Sequence, residues 1–209
     1  DALFSGYYST VSPVYDNKSY NSGAWSGAST AVTQSFTVGS GSNRALVVSV
    51  VTGYSIGGPG TISSMSYGGV AMTLLSSGTG GGGCTTYVYY LLNPTSGANN
   101  ITFTVVGAGG YVGSYGIVAY SHSSVGSITL GAVADSNGTS ITTTNNPYDA
   151  ILGLGFYYTN GGGTGTTISS TIFSNNSQFT NTATISYYSG VSNTITESGS
   201  GAYTFSFAG

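Results

Sequence analysis

The sequence predicts an all-β protein, folded as a single antiparallel β-sandwich. Three observations carry that reading. Hydrophobic residues make up 39% of the 209, with 18 Tyr and 8 Phe among them, and Val, Ile, Thr and Tyr suit a pleated, half-buried surface. Apolar and polar residues alternate with period two in many short runs, which is the strand signal. The 35 glycines fall mostly between those runs, where turns belong. Glu, Lys, Arg and Gln, which favour helices, are almost absent.

Taken along the chain, the first run in the body is AVTQSFTV (31–38), followed by ALVVSVVT (45–52), TISSMSY (61–67) and GVAMTLL (69–75). TTYVYYLL (85–92), NITFTVV (100–106), YGIVAYS (115–121) and SITLGAVA (127–134) come next. The last are YDAILGLGFYY (148–158), TTISSTIF (166–173), FTNTATISYY (179–188) and GAYTFSFAG (201–209). About twelve strands at near-regular spacing mark a sandwich or barrel. The stretches GTGGGGC (78–84) and NGGGTGTT (160–167) read as loops within one body. No fixed repeat period and no composition shift divides it, so residues 30–209 are expected to form one sandwich domain.

Two segments precede that domain. Residues 15–29, inside the turn-rich stretch YDNKSYNSGAWSGAST with the only Trp, read as a linker or as the domain's first edge. Residues 1–14 read as an arm. Ala2, Leu3, Phe4, Tyr7, Tyr8 and Val11 give it a strand-like, aromatic character, and Pro13 blocks simple continuation of a ladder. Apolar groups lie on both faces, as in a strand covered on both sides. The pattern leaves open whether Leu3 and Tyr7 or Phe4 and Tyr8 face inward. Ten residues reach about 33 Å, and burying four large side chains contributes about 6–12 kcal/mol before entropy costs. The arm either folds back into its own sandwich or adds as a strand to a neighbouring copy, taking affinity from main-chain hydrogen bonds and side-chain pockets. Head-to-tail addition of that kind does not close and builds filaments.

Composition excludes several classes. Only 3% of residues are charged, with a net charge of −3, against about a quarter in ordinary domains. Lys18 and Arg44 are the only Lys or Arg, far short of a nucleic-acid footprint. No apolar run approaches the roughly 20 residues of a membrane helix. The start at Asp1–Ala2 reads as a mature, exported chain after loss of a signal peptide. Cys84 stands alone, so a disulfide framework is not expected.

No constellation for catalysis emerges, and no enzyme, metal or cofactor is expected. His122 is the only histidine. A triad with Ser121 or Ser123 and Asp135 or Asp149 can be drawn, but AYSHSSVG is not a nucleophile elbow. One His and one Cys do not make a zinc site. Asp135 and Asp149 could form a glycosidase pair only in principle, and Asp1, Asp16 and Glu197 are scattered. The run GGGG (80–83) lacks the Lys-Ser/Thr of a phosphate loop. An internal Lys–Asn isopeptide bond would have to use Lys18. With five carboxylates and one His, stability is expected to vary little between about pH 2 and 7.

One modification motif does recur. Asn-x-Ser/Thr without proline occurs at Asn17, Asn100, Asn137 and Asn175, and attached glycans would keep a nearly uncharged surface soluble. Chance alone yields several such motifs in a chain rich in Asn, Ser and Thr.

The arm ALFSGYYSTV, the sequon set and the Ser/Thr/Gly/Tyr-rich β body together resemble the subunits of archaeal threads, glycosylated surface filaments. The resemblance covers the whole chain in character but holds no short diagnostic motif. It implies a pilin-like or immunoglobulin-like sandwich whose Ala2–Val11 strand inserts into the next subunit. It also implies glycans at Asn17, Asn100, Asn137 and Asn175, a cell-surface location, self-assembly as the partner interaction, and a role in adhesion or biofilm formation. Two other readings stand beside it: a carbohydrate-binding or adhesin module, and a viral coat sandwich. The Tyr clusters YVYY (87–90), FYY (156–158) and SYY (186–188) could stack sugars, or could pack across strands.

Overall fold

The structure, a computed structural model, describes residues 13–54, 58–80, 84–107 and 112–128, and the backbone of six strands between 140 and 207. Nine strands build the first part: β1 (Val14–Ser26), β2 (Ser29–Val38), β3 (Ala45–Tyr54), β4 (Met65–Tyr67), β5 (Val70–Ala71), β6 (Thr73–Gly80), β7 (Cys84–Leu92), β8 (Gly97–Val106) and β9 (Val112–Ser123). They form two antiparallel sheets, β1-β9-β3-β7-β6 and β2-β8-β4-β5, in a sandwich-like arrangement. Among the described residues there is no helix, and so none long and apolar enough to cross a membrane.

Alternation decides which faces meet. On β2, Val32, Gln34, Phe36 and Val38 are buried while Thr33, Ser35 and Thr37 are exposed. β8 turns Ile101, Phe103 and Val105 inward. Against them the five-stranded sheet sets Leu46, Val48 and Val50 of β3, Tyr87 and Tyr89 of β7, and Ile117 and Ala119 of β9. Removing such apolar area from water is the main stabilising term.

β3 and β9 are buried on both faces. Ser49 and Val51 of β3, and Val118 and Tyr120 of β9, point away from this core yet are inaccessible to solvent. Strands from later in the chain come close to them. The remaining strands are β10 (Ser140–Thr143), β11 (Leu152–Tyr158), β12 (Ile168–Ser169), β13 (Phe173–Thr180), β14 (Ile185–Ser192) and β15 (Tyr203–Phe207). They form two more antiparallel sheets, β10-β15-β12 and β11-β14-β13. β14 runs close over β9, and β11 over β3.

Of the two readings of residues 15–29, linker or first edge of the domain, the structure has the edge: all but the end of that stretch belongs to β1, the edge strand, which pairs with β9 from Val14↔Ser123 to Ser26↔Val112. Asp, Asn, Ser and Gly imitate a turn in sequence, but an edge strand needs a ladder on one side only and tolerates polar residues on the other. GVAMTLL is two strands, because the chain crosses between sheets at buried Met72, whose N–H donates to the Met65 carbonyl at 2.9 Å. FTNTATISYY likewise holds the end of β13 and the start of β14. Only Met65–Tyr67 of TISSMSY is strand, and β10 was not expected. Residues 129–134 of SITLGAVA lie outside the described residues. Gly68 and Gly69, with φ of 56° and 81°, make the two-residue β4–β5 turn, a conformation that favours glycine.

One end of the sandwich is closed by Trp25, 1% exposed at the end of β1. Its indole sits among Gly60, Gly107 and Gly113, and a β-carbon at either of the last two would collide with the ring. The indole N–H donates to the Gly53 carbonyl at 3.3 Å. Trp25→Ala should lower unfolding free energy by about 3–5 kcal/mol, measured by denaturant titration. Gly113→Ala should also destabilise, since its methyl meets both the indole and the Gly53 carbonyl. Parent-like stability of both variants would show that this packing does not hold the sandwich closed.

Candidate functional site

The arm residues Ala2, Leu3, Phe4, Tyr7, Tyr8 and Val11 lie outside the described residues. The description starts at Pro13, at the root of β1. There the chain is latched. The Asp16 carboxylate accepts from the Gly39 N–H and from the Ser121 hydroxyl, both at 2.6 Å. The β1–β9 register shifts at this residue, between Tyr15 and Asn17. A β-carbon at Gly39 would push the carboxylate out of its place.

The latch begins a seam. β1 and β2 are the edges of different sheets and run alongside each other without a main-chain ladder. Side chains bridge them instead. Asn17 Nδ2 donates to the Thr37 carbonyl at 2.9 Å, and Gln34 Nε2 donates to Ser19 Oγ at 2.8 Å. Gln34 is the one polar member of the inward row on β2, and its Oε1 is buried with no partner among the described residues. At the other end of the five-stranded sheet lies β6. Its eight residues, TLLSSGTG, carry no charge and no proline, and Leu74 is exposed. A bulge between Leu74 and Ser76 is its one irregularity against β7.

The sequons separate. Asn17 is half-buried in the seam. Asn100 is exposed on the outer face of the four-stranded sheet, opposite Ser35. Beside it is an open hollow of ≈ 520 Å³ lined by Ser35, Gly68, Gly69, Asn99 and Thr102 among others. Asn137 lies outside the described residues, and Asn175 lies on β13, where only the backbone is described.

The remaining polar groups have structural surroundings. Adjacent strand residues face opposite ways, so Ser121 turns to Asp16 while His122 turns to Tyr15, in an edge-on ring contact at 5.8 Å. Ser121 and His122 are therefore not a nucleophile and its base. Asp135 and Asp149 lie outside the described residues. No group of three potential metal ligands occurs among the described residues. Cys84 is buried, which pushes its thiol up to about 11. Arg44 donates to the carbonyls of Pro94 and Gly41, each at 2.8 Å, so it ties two loops together. In the YVYY cluster, Tyr87 and Tyr89 are core residues at 8% and 2% exposure, which removes them as a sugar platform. The backbone of FYY pairs with that of SYY, with Phe156 opposite Tyr187.

No protein-family profile, characterised protein or solved structure matches the chain.

His122 alters the expected acid tolerance. It is 7% exposed, and burial lowers its pKa to about 4, partly opposed by the nearby Asp16 carboxylate. The unfolded chain therefore binds a proton near pH 6.5 that the folded chain refuses until about pH 4. Stability should be full above pH 6.5, fall through the interval to pH 4 by about 3 kcal/mol, and level off below. Thermal melts from pH 7 to 3 check this. His122→Gln should flatten the slope, and a parent-like slope in that variant would assign the titration elsewhere.

Proposed function

We propose that this chain is a structural subunit of an extracellular, glycosylated filament, with residues Ala2–Val11 of one copy adding as a strand to the next. The observation that supports it is β6, an uncharged, proline-free edge at the far side of the sheet from β1. Proteins commonly blunt such edges with Lys, Pro or an inward charge, because an open edge recruits strands. The arm precedes β1 at one edge, and β6 lies at the opposite edge. Pairing one with the other joins copies head to tail, and such a contact propagates. The resemblance to archaeal threads agrees with this reading, as does a composition in which ion pairs cannot supply the linkage. Adhesion or biofilm formation is the role such a filament would serve.

The test compares filament counts by electron microscopy. Leu3→Ser/Tyr7→Ser and Phe4→Ser/Tyr8→Ser examine the two faces of the arm. Ser77→Lys/Thr79→Lys places charge on the β6 edge. The double that strikes the inward face should leave a folded monomer and reduce filaments at least tenfold, and the edge variant should do the same. Parent-like filaments from both arm doubles would reject the reading in favour of an adhesin module. Loss with the arm doubles alone would move the acceptor away from β6.

A further inference from the structure

The two sequons whose side chains are described have the same motif, but their asparagine amides have different surroundings. In Asn17-Lys18-Ser19 both motif side chains are spent on the seam. The Asn17 amide donates to the Thr37 carbonyl and its Oδ1 accepts from the Lys18 N–H at 2.9 Å. The Ser19 hydroxyl accepts from Gln34. A sugar on Nδ2 would have to enter the space between β1 and β2. In Asn100-Ile101-Thr102, Ile101 is fully buried, and its neighbours face outward two residues apart on one strand; the Thr102 hydroxyl shares a 2.7 Å hydrogen bond with Ser66, so the difference from the first motif lies at the asparagine. Asn100 is bonded through its backbone: its carbonyl accepts from the Gly68 N–H at 3.0 Å. Its exposed amide has no described side-chain partner. Gly69 borders the hollow with open space around it, and the lining is uncharged, with the Ser35 and Thr102 hydroxyls and the Asn99 amide as polar groups that suit a sugar ring.

We infer that Asn100 is a glycan acceptor whose first sugars lie in the hollow over Gly68–Gly69, and that Asn17 is a structural amide that carries none. This rests on the glycoprotein reading above. Attachment forms a bond from Asn100 Nδ2 to the anomeric carbon of a lipid-phosphate-activated oligosaccharide. The bond from that carbon to the phosphate oxygen breaks with its electron pair on the phosphate, and the amide gives up one proton. The glycan then occupies the outer face of the four-stranded sheet, so that face is turned away from neighbouring subunits in a filament.

Site-resolved mass spectrometry of protease-digested protein, isolated from the cells that produce it, tests the inference. The Asn100 peptide should carry a glycan and the Asn17 peptide should be bare. In intact mass, Asn100→Gln should lose one glycan from a total above the 20.9 kDa polypeptide, and Asn17→Gln should lose none. A glycan on Asn17 overturns the inference. So does a bare Asn100 when Asn137 or Asn175 is occupied. Four bare sequons would reject the glycoprotein reading itself.

Discussion

The described part of the molecule depends on Trp25 and the glycines that receive it. Here the chain leaves the five-stranded sheet at the end of β1 and enters the four-stranded one at the start of β2. A sandwich needs something at such a crossing to exclude water from the space between its layers. The indole fills that space, and its polar edge reaches the Gly53 carbonyl of β3, so the buried indole N–H is met. Gly107, just past β8, and Gly113, at the start of β9, both lie against the same ring. One side chain thus sets the spacing of β1, β3, β8 and β9 at that end.

The rest of the closure is made almost without charge. In an ordinary domain, ion pairs and solvated Lys and Glu would trim the seam and the edges. Here amides and hydroxyls bridge β1 to β2, and the Asp16 carboxylate is held by a backbone N–H and a hydroxyl. Neutral hydrogen bonds contribute about 0.5–1.5 kcal/mol each and do not weaken with salt as surface ion pairs do. The same economy leaves β6 without charge or proline, its bulge at Leu74–Ser76 being the one edge-blunting feature described. A surface suited to chain-to-chain pairing and a surface poor in ions are two aspects of one composition. The one sizeable pH-sensitive element identified, His122, sits beside this latch at the root of the arm.

The two proposals divide the surface between them. Strand addition uses an edge of the five-stranded sheet, while the Asn100 glycan covers the outer face of the four-stranded sheet. The two sheets offer different surfaces for these proposals: an edge strand without charge or proline in one, and an outer face with Ser35 and Asn100 in the other.

By itself the sequence determined the fold class, because period-two alternation and the absence of helix formers are local properties that each segment states alone. AVTQSFTV shows it plainly: the residues it marks as inward are the buried ones. Central strands, the YVYY core residues and the sequon motifs could be read at the same level. What it could not decide was anything set by a distant partner. VYDNKSYNSGAWS reads equally as a turn-rich linker or as an edge until β9 supplies its ladder. GVAMTLL reads as one strand until Met65 fixes the crossing at Met72. Asp16 and Ser121 are 105 residues apart, and no local signal joins them. Nor does the sequence distinguish Asn17 from Asn100, whose motifs are equivalent. Only the tertiary structure separates them, because burial and hydrogen bonding at a strand position depend on which strand comes to lie beside it.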